Sequence, residues 1–246
     1  MNIENFDLQF LKSKTVIVTG ASRGIGLALT EKLLDLGNIV IGTSREIKSL
    51  DETKTKFSRN FYPMELSLNV PESIKDFSKK VSETFGKIDV LVCNAGVLGD
   101  LDKIEDYDYN TWCETIDVNL NNQFLLIKEL LPAIKKSKKG SLIITSSSVG
   151  QKPREKWGAY SISKMGMEGL SVILSQELKV DEIIVNTVNP GGTATAMRKV
   201  ALPKEDQAKI PQPEDILPVF LYLCSNEAHE TGLSFNARDY IGLLNL

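Results

Sequence analysis

The chain reads KTVIVTGASRGIG from Lys14 to Gly26. The β-branched run at 15–19 is typical of a buried strand, and the apolar residues from Ile25 to Leu36 recur at helical spacing. The turn between them is rich in glycine, so its backbone can approach a ligand, and the free N–H groups at the helix start favour an anion such as a pyrophosphate. A plain tight turn is the alternative, but the strand, turn and helix together favour dinucleotide binding.

A second strand is predicted from Asn38 to Thr43, and Ser44 and Arg45 follow it. In a dinucleotide-binding βαβ unit, an acidic residue at this place accepts hydrogen bonds from the ribose of NAD, whereas an arginine pairs with the 2′-phosphate of NADP. Arg45, helped by Arg23, therefore predicts a preference for NADP(H), with NAD(H) as the alternative. The competing interpretation is that both arginines are merely solvated.

Strands and helices alternate along the rest of the chain. Strands are predicted at 61–66, 88–93, 142–146, 183–188 and 233–236, and helices at 71–85, 110–136, 157–179 and 213–223. Alternation of this kind predicts a single-domain Rossmann fold, with a doubly wound, mostly parallel sheet of about seven strands and helices on both faces. We expect one domain over residues 1–246, with a short N-terminal extension at 1–13.

Composition argues against several classes of function. A net charge of −3 provides no basic field for nucleic acid, and the four lysines at 135–139 are interpreted as a solvated loop. No apolar run approaches the roughly 20 residues that a membrane helix needs, and the N-terminus lacks a signal-peptide pattern, so we expect a soluble, cytoplasmic protein. Three widely spaced cysteines argue against disulfides or a zinc site, and a lone histidine, His229, disfavours Ser-His-Asp chemistry.

Tyr160 and Lys164 stand four residues apart in the predicted helix 157–179 and share one helical face. A nearby ammonium favours the phenolate, so we expect Lys164 to lower the pKa of Tyr160 and to make it a usable proton donor or acceptor. Ser147, just after the apolar run 142–144, would present a hydroxyl at the carboxyl end of a strand, where α/β sheets bind ligands. Tyr–Lys pairs at this spacing also occur by chance on many helices.

From Ser13 to Asn236 the chain resembles the short-chain dehydrogenase/reductase family. The stretch TGASRGIG at 19–26 is similar to the family's cofactor turn, and NAG at 94–96 is similar to its sheet-stabilising motif. The chain also resembles the family in its active-site residues, which correspond here to Asn119, Ser147, Tyr160 and Lys164.

This resemblance implies an NADP(H)-dependent oxidoreductase that interconverts a small-molecule carbonyl and an alcohol. In such enzymes the tyrosine transfers the proton, the serine polarises the carbonyl, the lysine binds the nicotinamide ribose, and the asparagine helps to hold a water in a proton relay. A dinucleotide-binding sensor or scaffold with little turnover is the alternative. The residues expected to contact the cofactor are Gly20, Ser22, Arg23, Gly24, Ile25, Gly26, Ser44, Arg45, Ser67, Asn94, Ala95, Gly96, Tyr160, Lys164, Pro190, Gly191, Thr193 and Thr195.

Family members commonly form dimers or tetramers through the helices that correspond to 110–136 and 157–179, so a homodimer or homotetramer is expected. Three positions depart from the family's pattern. Ser67 stands where an aspartate is usual, the substrate-lid region 196–212 is short, and NARDY at 236–240 replaces an Asp-Gly-Gly turn.

Overall fold

The computed structural model describes residues 8–11 and 13–243. Within them, a single parallel sheet is formed by β1 (Thr15–Val18), β2 (Ile39–Ser44), β3 (Phe61–Glu65), β4 (Val90–Cys93), β5 (Ser141–Thr145), β6 (Ile184–Asn189) and β7 (Ser234–Asn236). The strand order is β3-β2-β1-β4-β5-β6-β7, and every neighbouring pair is parallel. The predicted fold class is confirmed, and the sheet is wholly rather than mostly parallel.

Helices connect the strands and cover both faces of the sheet. They are α1 (Gly24–Asp35), α2 (Asp51–Lys56), α3 (Pro71–Phe85), α4 (Tyr109–Ile116), α5 (Asn122–Ile134), α6 (Ser148–Gln151), α7 (Gly158–Glu177), α8 (Ala196–Ala201) and α9 (Leu217–Cys224). The long helical stretch predicted at 110–136 is confirmed from Tyr109 to Ile134, and a π-helical segment at Asp117–Asn121 lies between α4 and α5. The short helices α2, α6 and α8 were not predicted, since one or two turns leave no apolar period to detect.

Successive side chains of β1 point to opposite faces of the sheet, and a layer of the core covers each face. Val16 and Val18 point into the layer that contains Leu29 of α1, whereas Ile17 points into the layer that contains Leu126 of α5. All five side chains are fully buried. Because successive strand residues face opposite sides, a strand with apolar residues at every position must be covered on both faces. Because both faces of the sheet are covered, the strands appear in the sequence as continuous apolar runs.

Strand order reverses between β1 and β4, because β2 and β3 lie on one side of β1 and the later strands lie on the other. Loops that follow β1 and β4 therefore diverge and leave a crevice at the carboxyl edge of the sheet. The residues after β5 and β6 lie at the same edge. This topology gathers every motif that the sequence suggested.

Most of the predicted N-terminal extension lies outside the described residues. The part that is described, Leu8–Leu11, is a 3₁₀ turn whose Leu11 is fully buried in the α1 layer of the core. This turn is therefore part of the packed fold.

Candidate active site

Thr19 directly follows β1 and links this strand to β4 through hydrogen bonds. Its hydroxyl donates to the Val92 carbonyl (3.2 Å) and accepts from the backbone N–H groups of Asn94 (2.9 Å) and Ala95 (3.0 Å). The Asn94 side chain donates in return to the Thr19 carbonyl (3.0 Å). The loop after β4 is thereby held against the loop after β1 at the point where the strand order reverses.

The glycine turn between β1 and α1 is packed too closely for side chains. A Cβ atom on Gly26 would overlap the Gly20 carbonyl oxygen and would come within 2.7 Å of the Asn94 side-chain nitrogen. Gly20 and Gly24 have φ values of +70° and +56°, a region that favours glycine. Ser22 and Ile25 are half-buried in the same turn. Because α1 begins here, its unpaired N–H groups and exposed backbone suit an anionic group such as a pyrophosphate.

Two exposed arginines flank this turn. Arg23 precedes α1 and Arg45 follows β2, and neither guanidinium pairs with a carboxylate among the described residues. The Ser44 hydroxyl is already engaged, since it accepts hydrogen bonds from the hydroxyl of Ser49 (2.8 Å) and from the backbone N–H of Glu46 (3.3 Å). Positive charge is therefore available at the end of β2, as a 2′-phosphate requires.

Ser67 lies beyond the end of β3 and is half-buried. Its hydroxyl donates to the Asn69 side-chain oxygen (2.8 Å), and its backbone N–H donates to the Ser73 hydroxyl (3.0 Å). The serine thus organises its own turn and brings no charge to the crevice, in contrast to the aspartate usual at this place.

Asn119 lies in the π-helical segment 117–121 and is buried. Its side chain clamps Val97: Oδ1 accepts from the Val97 N–H (2.8 Å), and Nδ2 donates to the Val97 carbonyl (2.8 Å). A Cβ atom on Gly96 would lie 2.9 Å from Asn119 Oδ1 and 3.9 Å from Lys164 Nζ. Asn119 therefore positions the loop after β4 beside the lysine, and the local π geometry is what turns its side chain to this loop.

Ser147 lies two residues beyond β5 and caps α6, because its hydroxyl accepts from the Val149 N–H (3.4 Å). Gly150 permits close approach of α6 to α7, since a Cβ atom there would lie 2.8 Å from Lys164 Cβ. The Ser161 hydroxyl donates to the Val149 carbonyl (2.5 Å) and fastens the two helices together. This packing brings Ser147 to the first turn of α7.

Tyr160 and Lys164 share one face of α7, as predicted, and only 8% and 6% of these residues is exposed. Lys164 Nζ donates to the Thr145 carbonyl at the end of β5 (2.7 Å) and lies 5.7 Å from the centre of the Tyr160 ring. The Ser147 side chain is close enough to the Tyr160 phenol to influence its pKa, and the Tyr160 ring lies 5.9 Å from that of Trp157. A hydroxyl, a phenol and an ammonium group therefore meet at the carboxyl edge of the sheet.

The predicted lowering of the Tyr160 pKa by Lys164 was wrong for this structure. Burial raises the pKa of the Tyr160 phenol to about 12, and the Ser147 side chain opposes this only in part. Burial also lowers the pKa of Lys164 to about 8, although Cys93 and Glu168 raise it. Spacing on a helix indicates proximity, but desolvation disfavours the charged form of both groups and dominates both shifts.

The loop after β6 closes the crevice from the other side. Thr193 is buried, and its hydroxyl donates to the Pro190 carbonyl (3.0 Å). Thr195 caps α8, and a Cβ atom on Gly24 would lie 3.3 Å from its methyl group. Gly191, which precedes Thr193, has a φ of +68°, and this glycine conformation allows the loop to turn there. The loop after β6 thus contacts the glycine turn after β1.

Two guanidinium groups support this loop. Arg238, from the segment that replaces the usual Asp-Gly-Gly turn, donates to the Gly192 carbonyl, and its Nε lies 2.8 Å from the place of a Cβ on Gly191. Arg198 of α8 pairs with Glu205 through two contacts of 2.5 and 2.7 Å. Arg238 from the altered C-terminal sequence therefore holds the loop after β6, and an ion pair joins α8 to Glu205.

The three cysteines and His229 do not form a cluster of reactive side chains. Cys93 and Cys224 are buried in the core, whereas Cys113 is only half-buried, and His229 is exposed. No cluster of three or more metal-ligating side chains occurs in the described part of the chain. A helix long and apolar enough to cross a membrane is also lacking among residues 8–11 and 13–243.

Gln123 and Arg238 contribute to the site but were not predicted as site residues. Gln123 Nε2 donates to the Ala95 carbonyl (2.9 Å), and its Oε1 is buried without a hydrogen-bond partner. Its spacing of four residues from Asn119 was the available signal, because both side chains then reach the same loop. The only sequence signal for Arg238 was that an arginine stands where the family's Asp-Gly-Gly turn has a glycine.

A parallel sheet in this order, with a glycine turn at the switch point, defines a Rossmann-type α/β protein. Residues 14–206 match the family model described as short chain dehydrogenase. The uncharacterized oxidoreductase YciK of Escherichia coli K12 is 35% identical over 235 residues, which span 93% of both chains. The 3-oxoacyl-[acyl-carrier-protein] reductase FabG of Vibrio cholerae is 32% identical over 228 residues, 89% of this chain and 92% of that one.

Solved structures agree with this relationship. The crystal structure of a short chain dehydrogenase from Escherichia coli CFT073, complexed with NADPH, matches with a TM-score of 0.90 and 34% identity, covering 95% of this chain and 100% of that chain. A Shigella flexneri short chain dehydrogenase complexed with NADP matches with a TM-score of 0.90 and 34% identity, covering 94% and 100%. The chain belongs to the short-chain dehydrogenase/reductase family of oxidoreductases.

Lys164→Met is expected to stabilise the protein at neutral pH. The lysine pKa falls from 10.5 to about 8 on folding, so its charged form disfavours the native state by roughly 3 kcal/mol, and loss of its hydrogen bond offsets about 1 kcal/mol. Since the native pKa lies below the unfolded value, this destabilisation is complete below pH 8 and fades as the pH rises toward 10.5.

Urea unfolding of both proteins at pH 7 and pH 10 measures this effect, with the exposed Lys128→Met as control. The gain in the free energy of unfolding should be smaller at pH 10 and absent in the control. A Lys164→Met protein less stable than the wild type at pH 7 would show that burial does not disfavour the lysine charge.

Proposed function

We propose that this protein is an NADP(H)-dependent oxidoreductase that interconverts a carbonyl and an alcohol. One observation carries the proposal: Ser147, Tyr160 and Lys164 converge at the carboxyl edge of the sheet, where the Lys164 ammonium donates to the Thr145 carbonyl (2.7 Å) and lies 5.7 Å from the centre of the Tyr160 ring. We take the chain as one domain, because its described residues build one sheet with a core layer on each face. The cytoplasmic location expected from the sequence stays a prediction.

Each side chain has a distinct task in this proposal. The Tyr160 phenol, with its raised pKa, holds its proton at neutral pH and can give it to a developing alkoxide. Ser147 donates a hydrogen bond to the substrate oxygen and so polarises the carbonyl. Lys164 carries positive charge beneath the phenol and stabilises the phenolate left after proton transfer. Asn119 acts as a positioning residue, because its amide fixes Val97.

NADP(H) fits the crevice between the loops after β1, β4 and β6. Gly26 lets α1 begin in close contact with the Gly20 carbonyl, where the free N–H groups of the helix start can bind a pyrophosphate. Arg23 and Arg45, which have no carboxylate partner among the described residues, provide positive charge at the end of β2. Two similar solved structures are complexes with NADP or NADPH. When bound, the nicotinamide supplies or accepts the hydride. The loop of Gly191 and Thr193 would lie beside the nicotinamide.

The substrate is proposed as a small carbonyl compound, and a 3-oxoacyl thioester belongs in the first panel because similar proteins are named 3-oxoacyl-[acyl-carrier-protein] reductases. NADPH oxidation with such a panel separates an enzyme from a dinucleotide-binding sensor on the same fold. Tight NADPH binding without turnover of any member would favour the sensor.

Tyr160→Phe should retain the fold and NADPH binding but lower kcat by roughly 10²–10⁴-fold, because the ring stays and only the proton donor is removed. Steady-state kinetics and an NADPH titration measure the two effects. Tyr62→Phe, at a partly exposed ring that packs on Phe85 far from the crevice, should keep full activity. Near-normal turnover by Tyr160→Phe would refute the assigned role.

The wild-type protein should bind NADPH about tenfold to a hundredfold more tightly than NADH, since one charge-assisted contact to the 2′-phosphate contributes roughly 1.5–3 kcal/mol. Replacing Ser44 by Asp and Arg45 by Ala should abolish or invert this preference. Fluorescence titration at low salt measures both affinities, and Lys48→Ala in the same exposed segment is the control. Equal wild-type affinities would mean that both arginines are only solvated.

A homo-oligomer of two or four chains is proposed from an apolar stripe on α7. Ile162, Met165, Val172 and Ile173 lie on one helical face and remain 41–54% exposed. Small residues of α7 also bear on this surface. Gly166 packs on Leu120 of the same chain and Ser171 is buried, whereas a Cβ atom on Gly169 would meet nothing within 4 Å. The stripe, with Gly169 on the same face, is therefore the proposed interface.

Light scattering at micromolar concentration should give two or four times the chain mass of 27.2 kDa. Ile173→Glu should shift the protein toward monomers, because it buries an unpaired charge in the interface. Val180→Glu is the matched control, since Val180 is 89% exposed just beyond the stripe. A monomeric wild-type protein would contradict the proposal.

A further inference from the structure

A cavity of about 490 Å³ lies at the edge of the sheet opposite the candidate active site. Lys14 and Ser13 line it just before β1, Lys87 and Asp89 just before β4, and residues 136–139 just before β5, while Asn226 follows α9. All of these segments lie at the amino ends of central strands. The length of the strands separates this cavity from the loops that would hold the cofactor by roughly 15–20 Å.

Positive charge dominates the lining. Five lysines contribute to it, and Asp89 is the one carboxylate among its lining residues. All four lysines at 135–139 are exposed in the turn between α5 and β5, in agreement with their interpretation as a solvated loop. Lys135 forms an ion pair with Asp181 (2.6 Å), whereas Lys136, Lys138 and Lys139 line the cavity.

Asp89 balances only one of these five positive charges, and its oxygens are already engaged. Oδ1 accepts from Lys87 (2.7 Å) and from the Ser137 hydroxyl (2.7 Å), and Oδ2 accepts from the Thr15 N–H (3.0 Å). Lys87 is thereby paired. Lys14 and the three lysines of residues 136–139 have no carboxylate partner among the described residues.

Lys14 is the buried member of the cluster, with only 6% of the residue exposed. Its ammonium donates to the Asn226 side-chain oxygen (2.6 Å), and the Lys139 ammonium donates to the Asn226 carbonyl (3.2 Å). Both acceptors are neutral, so they satisfy hydrogen bonds without cancelling charge. Burial, together with Lys87 and Lys139, lowers the Lys14 pKa against the opposing effect of Asp89, as expected where cations lie close together.

We propose that this cavity is a binding site for a small, hydrophilic polyanion that carries two or more phosphate or carboxylate groups. Its concave shape and the buried Lys14 favour a ligand that enters the cavity over a polymer that lies across a surface. A volume of this order is typical of sites for small molecules. The two serines and the asparagine beside the lysines favour a hydrophilic ligand. Several ammonium groups without a carboxylate partner among the described residues favour a multivalent anion.

Isothermal titration calorimetry with inorganic tripolyphosphate and with citrate tests this site and tells phosphate from carboxylate ligands. The titrations use protein saturated with NADPH, so that the glycine turn and its arginines are occupied. At least one probe should bind, and inorganic phosphate should bind at least about tenfold more weakly than that probe, because it meets fewer ammonium groups. Affinity should also fall as salt is added.

Lys138→Gln combined with Lys139→Gln should weaken binding by about tenfold to a hundredfold, since two charged contacts are removed. Lys128→Gln combined with Lys135→Gln removes the same charge outside the cavity and should change affinity less than about twofold. All four side chains are exposed, so both variants should fold. Absence of binding by either probe, or equal loss in both double variants, would overturn the proposal.

Discussion

The Thr19 hydroxyl makes three hydrogen bonds that join the ends of β1 and β4. These two strands are adjacent in the sheet although three helices and two strands, from α1 to α3, lie between them in sequence. The bonds fix the loop of Asn94 against the glycine turn, and that loop in turn is clamped by Asn119 through Val97. One hydroxyl therefore sets the width of the crevice from which the rest of the candidate site is built.

Desolvation is the second constraint on the site. It raises the pKa of Tyr160 and lowers that of Lys164, so the folded chain holds both groups closer to their neutral forms than water would. A neutral phenol is a competent proton donor, and a lysine with a pKa of about 8 can respond to a charge that appears beside it. Burial of the Lys164 charge lowers the stability of the folded chain, and in exchange Tyr160 and Lys164 can change protonation when a nearby charge changes.

Charge is distributed unevenly on this mildly acidic chain. Guanidinium groups at the carboxyl edge of the sheet and ammonium groups around a cavity at the amino edge have no carboxylate partner among the described residues. The net charge of −3 conceals both. Because screening limits electrostatic attraction to about 8 Å at physiological salt, such local clusters rather than the net charge govern which anions bind.

Periodicity and turn chemistry were enough to predict the parallel sheet, helix α3 with its bounds, and the shared face of Tyr160 and Lys164, because each depends on residues near in sequence. The π-helical segment around Asn119, the bracing of Gly192 by Arg238 and the split role of the lysines at 135–139 depended on contacts between distant segments. The pKa of Tyr160 belongs with them. Burial is a property of the whole packed fold, and spacing along one helix does not contain it.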